Sequence, residues 1–154
     1  MKVLAIDPGT RRTGYAVLDR FGSLAECGVL ATRGKDLPGR LLQIHRGVEQ
    51  IVRRHRPKHV AIERPFVGRS VASALTLASA RAVCLLVAAA ARARVFDYAP
   101  TQVKRAISMN GLSTKSDLQR IVQLLLGLRE LTSADAADAI ALGFCHLHRL
   151  NSGA

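Results

Sequence analysis

The first third of the chain consists of short apolar runs separated by turn-forming residues, a pattern typical of β-strands. The run Val3–Asp7 stops at Pro8-Gly9, a turn dipeptide. Runs at Gly14–Leu18 and Leu24–Leu30 follow, divided by the turn-prone residues 19–23. Three strands at this spacing predict an antiparallel meander.

After residue 37 the apolar period changes to three or four residues, which is the period of a helix. A helix is predicted from Pro38 to Arg56, where Pro57 ends it. A short buried strand, His59–Glu63, and a fifth strand, Val95–Tyr98, alternate with further helices. Those helices are predicted at residues 71–93, from residue 100 onward, at 115–126 and at 133–150. A meander followed by such alternation predicts an α/β protein with a five-stranded mixed sheet and helices on both faces, in one domain spanning residues 1–154.

The charge balance indicates a polyanionic partner. The chain has 23 Lys and Arg against 11 Asp and Glu, a net charge of +12. Clustered basic residues are the electrostatic signature of nucleic-acid binding, although a solvated basic surface would give the same count. An anionic membrane is the weaker alternative, because no segment has the form of a basic amphipathic helix with aromatic anchors.

Cysteine usage and the apolar segments predict a soluble, cytoplasmic protein. Three cysteines (Cys27, Cys84 and Cys145) are widely spaced and lack C-x-x-C pairing, so they are expected to be reduced, buried side chains. The charged N-terminus does not match a signal peptide. The longest apolar stretch, residues 82–91, is too short to cross a bilayer.

Four acidic residues stand out by their positions. Asp7 and Glu63 each close a predicted strand, and ligands of open α/β sheets collect at strand ends. Asp135 and Asp138 are three residues apart on a predicted helix, so that both carboxylates share one face. A structural role is the alternative for each, and Asp135 in particular suits the first turn of a helix capped by residue 132 or 133.

If the four carboxylates meet, their repulsion favours a bound divalent cation, and hard oxygen ligands suit Mg²⁺ or Mn²⁺. Two such ions about 3.5–4 Å apart activate water and stabilise the leaving oxygen in phosphodiester hydrolysis. The acid set therefore predicts a metal-dependent nuclease.

Four motifs in order resemble those of the bacterial RuvC crossover junction endodeoxyribonucleases. They are Ile6–Tyr15 (IDPGTRRTGY), Ala61–Phe66 (AIERPF), Gln102–Lys104 (QVK) and Ala134–Ala139 (ADAADA). The resemblance runs from about residue 2 to residue 148. It implies a ribonuclease-H-like fold, a homodimer, dependence on Mg²⁺ (or Mn²⁺) with two ions per site, and paired, symmetric nicking of Holliday junctions in recombination and repair. It also implies partnership with the branch-migration proteins RuvA and RuvB.

By position, the resemblance assigns catalysis and metal binding to Asp7, Glu63, Asp135 and Asp138. Some members of the family have His where Asp135 stands, which leaves the choice between Mg²⁺ and Mn²⁺ open. The loop before the family's functional lysine is here Asn110–Lys115, with fewer glycines than the family pattern. Lys115 is nonetheless expected to act in catalysis and to contact DNA.

Further DNA contacts are expected at Phe66, Arg69 and Lys104. An aromatic side chain on the loop after Glu63 can stack on an unpaired base, although it can equally anchor the loop in the core. Lys104 and Lys115 flank the loop before the penultimate helix, where a lysine can hold a phosphate. The additional arginines near Asp7 and Glu63 are weaker candidates for phosphate contacts (Arg11, Arg12 and Arg64).

The five histidines are interpreted as surface or core residues, because they lack the spacing of metal ligands. His146 and His148, at i and i+2, face different sides of a helix.

The long helix from residue 71 is apolar around much of its circumference, so it is expected to be buried in the core or against a second subunit.

Three rival functions remain open on the sequence. Actin-like ATPases and sugar kinases also begin with a strand ending in Ile-Asp-x-Gly, but they need a second half that 154 residues do not supply. A nuclease of the same fold acting on RNA shares the acid set. A DNA-binding architectural protein would use the acids only structurally.

Overall fold

The computed structural model describes residues 1–65, 70–107, 115–127 and 133–153, without the side chains of residues 107, 115, 116 and 118. Within these ranges the strands are β1 (Lys2–Asp7), β2 (Arg12–Asp19), β3 (Leu24–Ala31), β4 (His59–Glu63) and β5 (Arg94–Tyr98). The helices are α1 (Leu37–His55), α2 (Val71–Ala90), α3 (Pro100–Ile107), α4 (Lys115–Leu126) and α5 (Ala134–Asn151).

The strands form one mixed sheet in the order β3-β2-β1-β4-β5. The pairs β1–β2 and β2–β3 are antiparallel, which confirms the predicted meander. The pairs β1–β4 and β4–β5 are parallel, and α1 and α2 supply the crossovers that parallel strands require. Consequently β1 and β4, at the centre of the sheet, end at the same edge.

Both faces of the sheet are covered, because the central strands are apolar on both sides. Val3 and Ala5 of β1 pack with Ile140 and Leu142 of α5 on one face. The alternate residues of β1 pack on the other face against α1 and α2, in a cluster that includes Leu4, Ile6, Ile44, Val48, Cys84 and Val87. The predicted α/β fold with helices on both faces is confirmed.

Local chemistry explains where the helices begin and end. Asp36, Ser70 and Ser133 cap α1, α2 and α5, each accepting a hydrogen bond from the backbone three residues later. The sequence pattern predicted that helix α2 ends at residue 93, but it ends three residues earlier, at Ala90. The chain turns there through Arg92, which has a φ of 55°, and the amide of Ala93 bonds back to the carbonyl of Ala88.

Helix α2 carries an exposed apolar surface. Val71, Leu75 and Leu86 are 72%, 64% and 64% exposed. By length and composition α2 is the one helix in the described ranges that is able to cross a membrane, with a mean hydropathy of 1.9. The sequence pattern indicated an apolar stretch of only ten residues, because Arg81 and several hydroxyl residues interrupt the helix. These residues lower the mean hydropathy of the whole helix only slightly, so the apolar segment is longer than predicted.

Candidate active site

Asp7 and Glu63 leave the sheet side by side. Strands β1 and β4 pair in parallel up to Ile6 and Ile62, and each strand ends one residue later at its acid. Side chains alternate between the faces of a sheet, and Ala5 and Ala61 pack on the face that bears α5. Asp7 and Glu63, two residues further along their strands, therefore lie on that same face.

The N-terminal end of α5 rests on the strand residue next to Asp7. Gly14 of β2 is the register partner of Asp7. A Cβ built on Gly14 would lie 2.1 Å from the backbone oxygen of Asp135, so the helix approaches the sheet this closely only because the residue is glycine. This contact places the helical acids at the edge where Asp7 and Glu63 emerge.

The four acids are half-buried, and the negative charge of one of them is partly balanced by a helix dipole. Asp7, Glu63, Asp135 and Asp138 are all of intermediate exposure. Asp135 is in the first turn of α5, where the positive end of the helix dipole favours a carboxylate. Asp138 shares the helix face of Asp135, and the small residues Ala137 and Ala139 beside it are fully buried.

The β1–β2 turn is held in place by hydrogen bonds that sequence inspection did not assign. The hydroxyl of Thr13, which is fully buried, donates to the carbonyl of Gly9 at 2.7 Å. Thr32 ties the turn to the end of β3 by donating through its hydroxyl to the carbonyl of Thr10 at 2.7 Å. Gly9 has no space for a side chain, since a Cβ would lie 2.2 Å from the Arg12 carbonyl oxygen. Gly9, Thr10 and Thr13 fall within the first motif that carried the resemblance, whereas no motif pointed to Thr32.

Arg12, which the sequence suggested as a phosphate contact, forms an ion pair with Asp135 in the structure. Its Nε donates to Oδ2 of Asp135 at 2.6 Å. Among the described residues, no group of three His, Cys, Asp or Glu side chains is arranged to hold a metal ion. Two physical factors oppose such an arrangement in a protein without metal: carboxylates repel one another, and Asp135 is engaged by a guanidinium.

The donor chemistry of the four acids nevertheless fits a divalent metal. The set offers only carboxylate oxygens, the ligand type that Mg²⁺ and Mn²⁺ prefer. Two of the acids come from adjacent strand ends, and two from one face of a helix that abuts the same edge. One oxygen of this set, Oδ2 of Asp135, already accepts a hydrogen bond from Arg12.

The residues expected to contact DNA are only partly described. Lys104 is exposed on α3, and Val103 beside it is buried in the core beneath α5. Lys115 is the first residue of α4, and its side chain is not among those that the structure describes. Phe66 and Arg69 lie outside the described residues.

The histidines include a buried pair that no local spacing revealed. His59 Nδ1 and His146 Nε2 are 3.0 Å apart, and the Tyr98 hydroxyl is 2.7 Å from His146 Nδ1. Burial lowers the pKa of His146 to about 4, so this histidine is neutral at physiological pH. The network joins β4, β5 and α5, and it confirms that His59 and His146 are core residues.

A family profile and two known proteins are similar to this chain in sequence or structure. A sequence profile of the family described as crossover junction endodeoxyribonuclease RuvC matches residues 3–146. The crossover junction endodeoxyribonuclease RuvC of Geotalea uraniireducens is 39% identical over 150 residues, covering 95% of this chain and 88% of that protein.

The solved structure of Thermus thermophilus RuvC superposes with a TM-score of 0.89 at 30% identity, covering 99% of this chain and 97% of that one. The structure of T. thermophilus RuvC in complex with Holliday junction substrate also has a TM-score of 0.89, at 29% identity, with 99% and 96% covered. The resemblance read from the sequence is thereby confirmed, and the chain belongs to the RuvC family of crossover junction endodeoxyribonucleases.

Proposed function

We propose that this protein resolves Holliday junctions in recombination and repair by metal-dependent hydrolysis of phosphodiester bonds. The observation that carries the proposal is the placement of four carboxylates, two at adjacent strand ends and two on the helix that abuts the same edge through Gly14. The family relation supports the substrate, since a solved relative is in complex with a Holliday junction. The proposed nuclease is a single ribonuclease-H-like domain spanning residues 1–154 that works in the cytoplasm.

The four acids are proposed to hold two Mg²⁺ ions per site, or Mn²⁺. When bound, such ions activate the attacking water and stabilise charge on the leaving oxygen. The protein contributes by holding the four carboxylates on strands and on a helix. Asp7 and Glu63 are held by the strand ladder, and Asp135 and Asp138 by a helix whose start is capped by Ser133.

Basic and aromatic residues around the acids are proposed to bind the junction. A net charge of +12 attracts the phosphate backbone, and the attraction weakens with salt. Lys104, Lys115 and Arg69 are proposed phosphate contacts, and Lys115 additionally stabilises charge developing on the scissile phosphate. Phe66 is proposed to stack on a base at the crossover, a contact that tolerates any base.

A homodimer is proposed to make the two symmetric cuts. A four-way junction has approximate two-fold symmetry, and an isologous dimer presents two active sites in matching orientation. The exposed apolar residues of α2 (Val71, Leu75 and Leu86) support a subunit interface on this helix. RuvA and RuvB are the proposed partners that deliver the junction.

The dimer is tested by Leu75→Lys combined with Leu86→Lys. Both residues are exposed, so the substitutions are expected to leave the subunit folded while two buried charges oppose the interface. Sedimentation equilibrium should change from a dimer to a monomer. A dimer of unchanged stability would remove α2 from the interface.

The nuclease assignment is tested by Asp7→Asn. This variant is expected to bind a four-way junction and to leave it uncut at any Mg²⁺ or Mn²⁺ concentration, because a metal ligand has lost its charge. Asp19→Asn is the matched control. Asp19 is at the end of β2 that lies away from Asp7. It accepts hydrogen bonds from the Phe21 and Ser23 amides, and the side-chain oxygen of an asparagine can accept the same bonds.

The outcome separates an enzyme from an architectural DNA-binding protein. If Asp7→Asn cuts the junction at the rate of the wild type and of Asp19→Asn, the metal-site assignment is wrong. If the wild type binds junctions tightly and cuts them with neither metal, the acids are structural and the architectural function replaces the nuclease.

A further inference from the structure

One side of the proposed metal site is already occupied by a cation from the chain itself. The guanidinium Nε of Arg12 donates to Oδ2 of Asp135 at 2.6 Å, across 123 residues of sequence. The Asp135 side chain is 28% exposed, whereas the Arg12 side chain is 54% exposed. The carboxylate is therefore fixed in a partly buried position, while the arginine that pairs with it is largely in solvent.

The backbone on both sides of this ion pair is held by contacts with neighbouring elements. Arg12 is the first residue of β2 and pairs with Ala31 of β3. Two residues later, Gly14 lies directly against the backbone of Asp135. The Thr13 and Thr32 hydrogen bonds fix the turn that precedes Arg12. The geometry thus holds the base of the Arg12 side chain next to the first turn of α5.

We propose that Arg12 and a divalent metal ion compete for the carboxylate of Asp135, an inference that rests on the proposed metal-dependent function. A carboxylate oxygen that accepts from a guanidinium presents less negative charge to a metal. Arginine stays protonated at every physiological pH, so only displacement, and not deprotonation, frees Asp135. Arg12 in this way lessens the repulsion among the acids while metal is absent and lowers the affinity of the site for metal.

Displacement gives Arg12 a second role. Once released, the guanidinium is exposed at the edge of the site where a scissile phosphate has to approach, and a guanidinium pairs well with phosphate oxygens. DNA that engages Arg12 frees Asp135 for metal, and metal that engages Asp135 frees Arg12 for DNA. Such coupling is reciprocal by thermodynamic linkage. Arg12 is accordingly a positioning residue that makes the site bind metal more readily in the presence of its substrate.

The competition is tested by calorimetric titration of the full-length protein with Mn²⁺, without DNA, for the wild type, Arg12→Ala and Arg11→Ala. Arg11 is the matched control, because it is the adjacent exposed arginine and its loss removes the same charge. Arg12→Ala is expected to bind Mn²⁺ about two- to fivefold more tightly than wild type, the size expected of an ion pair that is half exposed. Arg11→Ala is expected to match the wild type within error.

A second variant guards against an indirect effect of truncation. Arg12→Gln retains a hydrogen-bond donor without the charge, and its Mn²⁺ affinity should fall between those of wild type and Arg12→Ala. Thermal unfolding of all variants in the absence of metal reports whether each remains folded.

Equal Mn²⁺ affinities for Arg12→Ala and Arg11→Ala would overturn the competition while leaving the metal site in place. Absence of Mn²⁺ binding in every protein would overturn the metal site and the competition with it. Tighter binding by Arg12→Ala in a protein that never cuts junctions would uphold the competition and refute the proposed nuclease function.

Discussion

Two carboxylates of this protein, Glu26 and Asp135, are both paired with arginine, but their surroundings differ. Glu26 on β3 accepts from the Tyr15 hydroxyl at 2.9 Å and from Arg54 at 2.9 Å, and it lies 2.6 Å from His55 Nε2. These partners come from β2 and from the last turn of α1. Asp135 accepts from Arg12, whose side chain is 54% exposed, at an edge where three further acids are placed.

The difference separates a structural carboxylate from one placed for chemistry. The hydrogen bond with His55, followed by those from Tyr15 and Arg54, lowers the pKa of Glu26 to about 2 although burial opposes this. Burial, together with the hydrogen bond to Glu26, raises the pKa of Tyr15 to about 12. Glu26, on β3, is held by partners on β2 and α1, so it joins three elements. A carboxylate that is paired with one solvent-exposed cation, as Asp135 is with Arg12, can instead exchange that cation for another.

The largest expected effect is at the acidic edge. Asp138→Asn should lower the rate of junction cleavage by about a thousandfold, because loss of a metal ligand raises the barrier by about 4 kcal/mol. Single-turnover cleavage and junction binding are measured on the same preparation. Binding should persist, and a loss of cleavage of less than about threefold would exclude Asp138 as a ligand.

An intermediate effect is expected where α5 touches the sheet. Gly14→Ala places a methyl group against the Asp135 carbonyl, which forces the start of α5 outward. The free energy of unfolding should fall by about 1–3 kcal/mol, and cleavage should fall by about tenfold or more, since small displacements of catalytic groups are costly.

Gly47→Ala is the control for this substitution. A Cβ on Gly47 of α1 would meet only the flexible end of the Leu30 side chain, which can shift. Cleavage by Gly47→Ala should equal that of the wild type. If Gly14→Ala also cleaves at the wild-type rate, the contact between Gly14 and Asp135 does not position the acids.

The smallest effect is expected at Glu26. Glu26→Gln should lower the free energy of unfolding by about 1–2 kcal/mol in urea at pH 7, with cleavage per folded molecule unchanged. The folded pKa of about 2 is below the ordinary value of 4.5, so the stabilisation by Glu26 is complete above about pH 4.5 and is lost as pH falls through 2. The difference between wild type and variant should therefore shrink at pH 2.5. A difference of the same size at both pH values would show that the charge of Glu26 is not what stabilises the fold.

Much of the fold was predictable because its elements are determined locally. The strand His59–Glu63 and the helix Lys115–Leu126 have the predicted bounds, and the other elements differ by three residues or fewer at the ends that were predicted. Apolar period, proline stops and N-caps act within a few residues of sequence. The acids at strand ends were recognisable for the same reason.

The contacts that assemble the site were less predictable, because they join residues far apart in the chain. Nothing in the sequence near Gly14 indicates that Asp135, 121 residues later, rests on it, and the same holds for His59 and His146. Arg12 was interpreted as a phosphate contact because it is basic and lies close in sequence to Asp7, whereas its ion pair with Asp135 depends on the docking of α5. Side-chain partners across elements are a product of tertiary packing.

Cleavage of a synthetic mobile four-way junction with Mg²⁺ or Mn²⁺, beside a linear duplex and an RNA–DNA hybrid of the same sequence, is the decisive experiment on the proposed function. Paired, symmetric nicks are expected in the junction, with the duplex and the hybrid uncut. Cleavage of the hybrid in preference to the junction would instead identify a nuclease of the same fold that acts on RNA, and would contradict the proposed function.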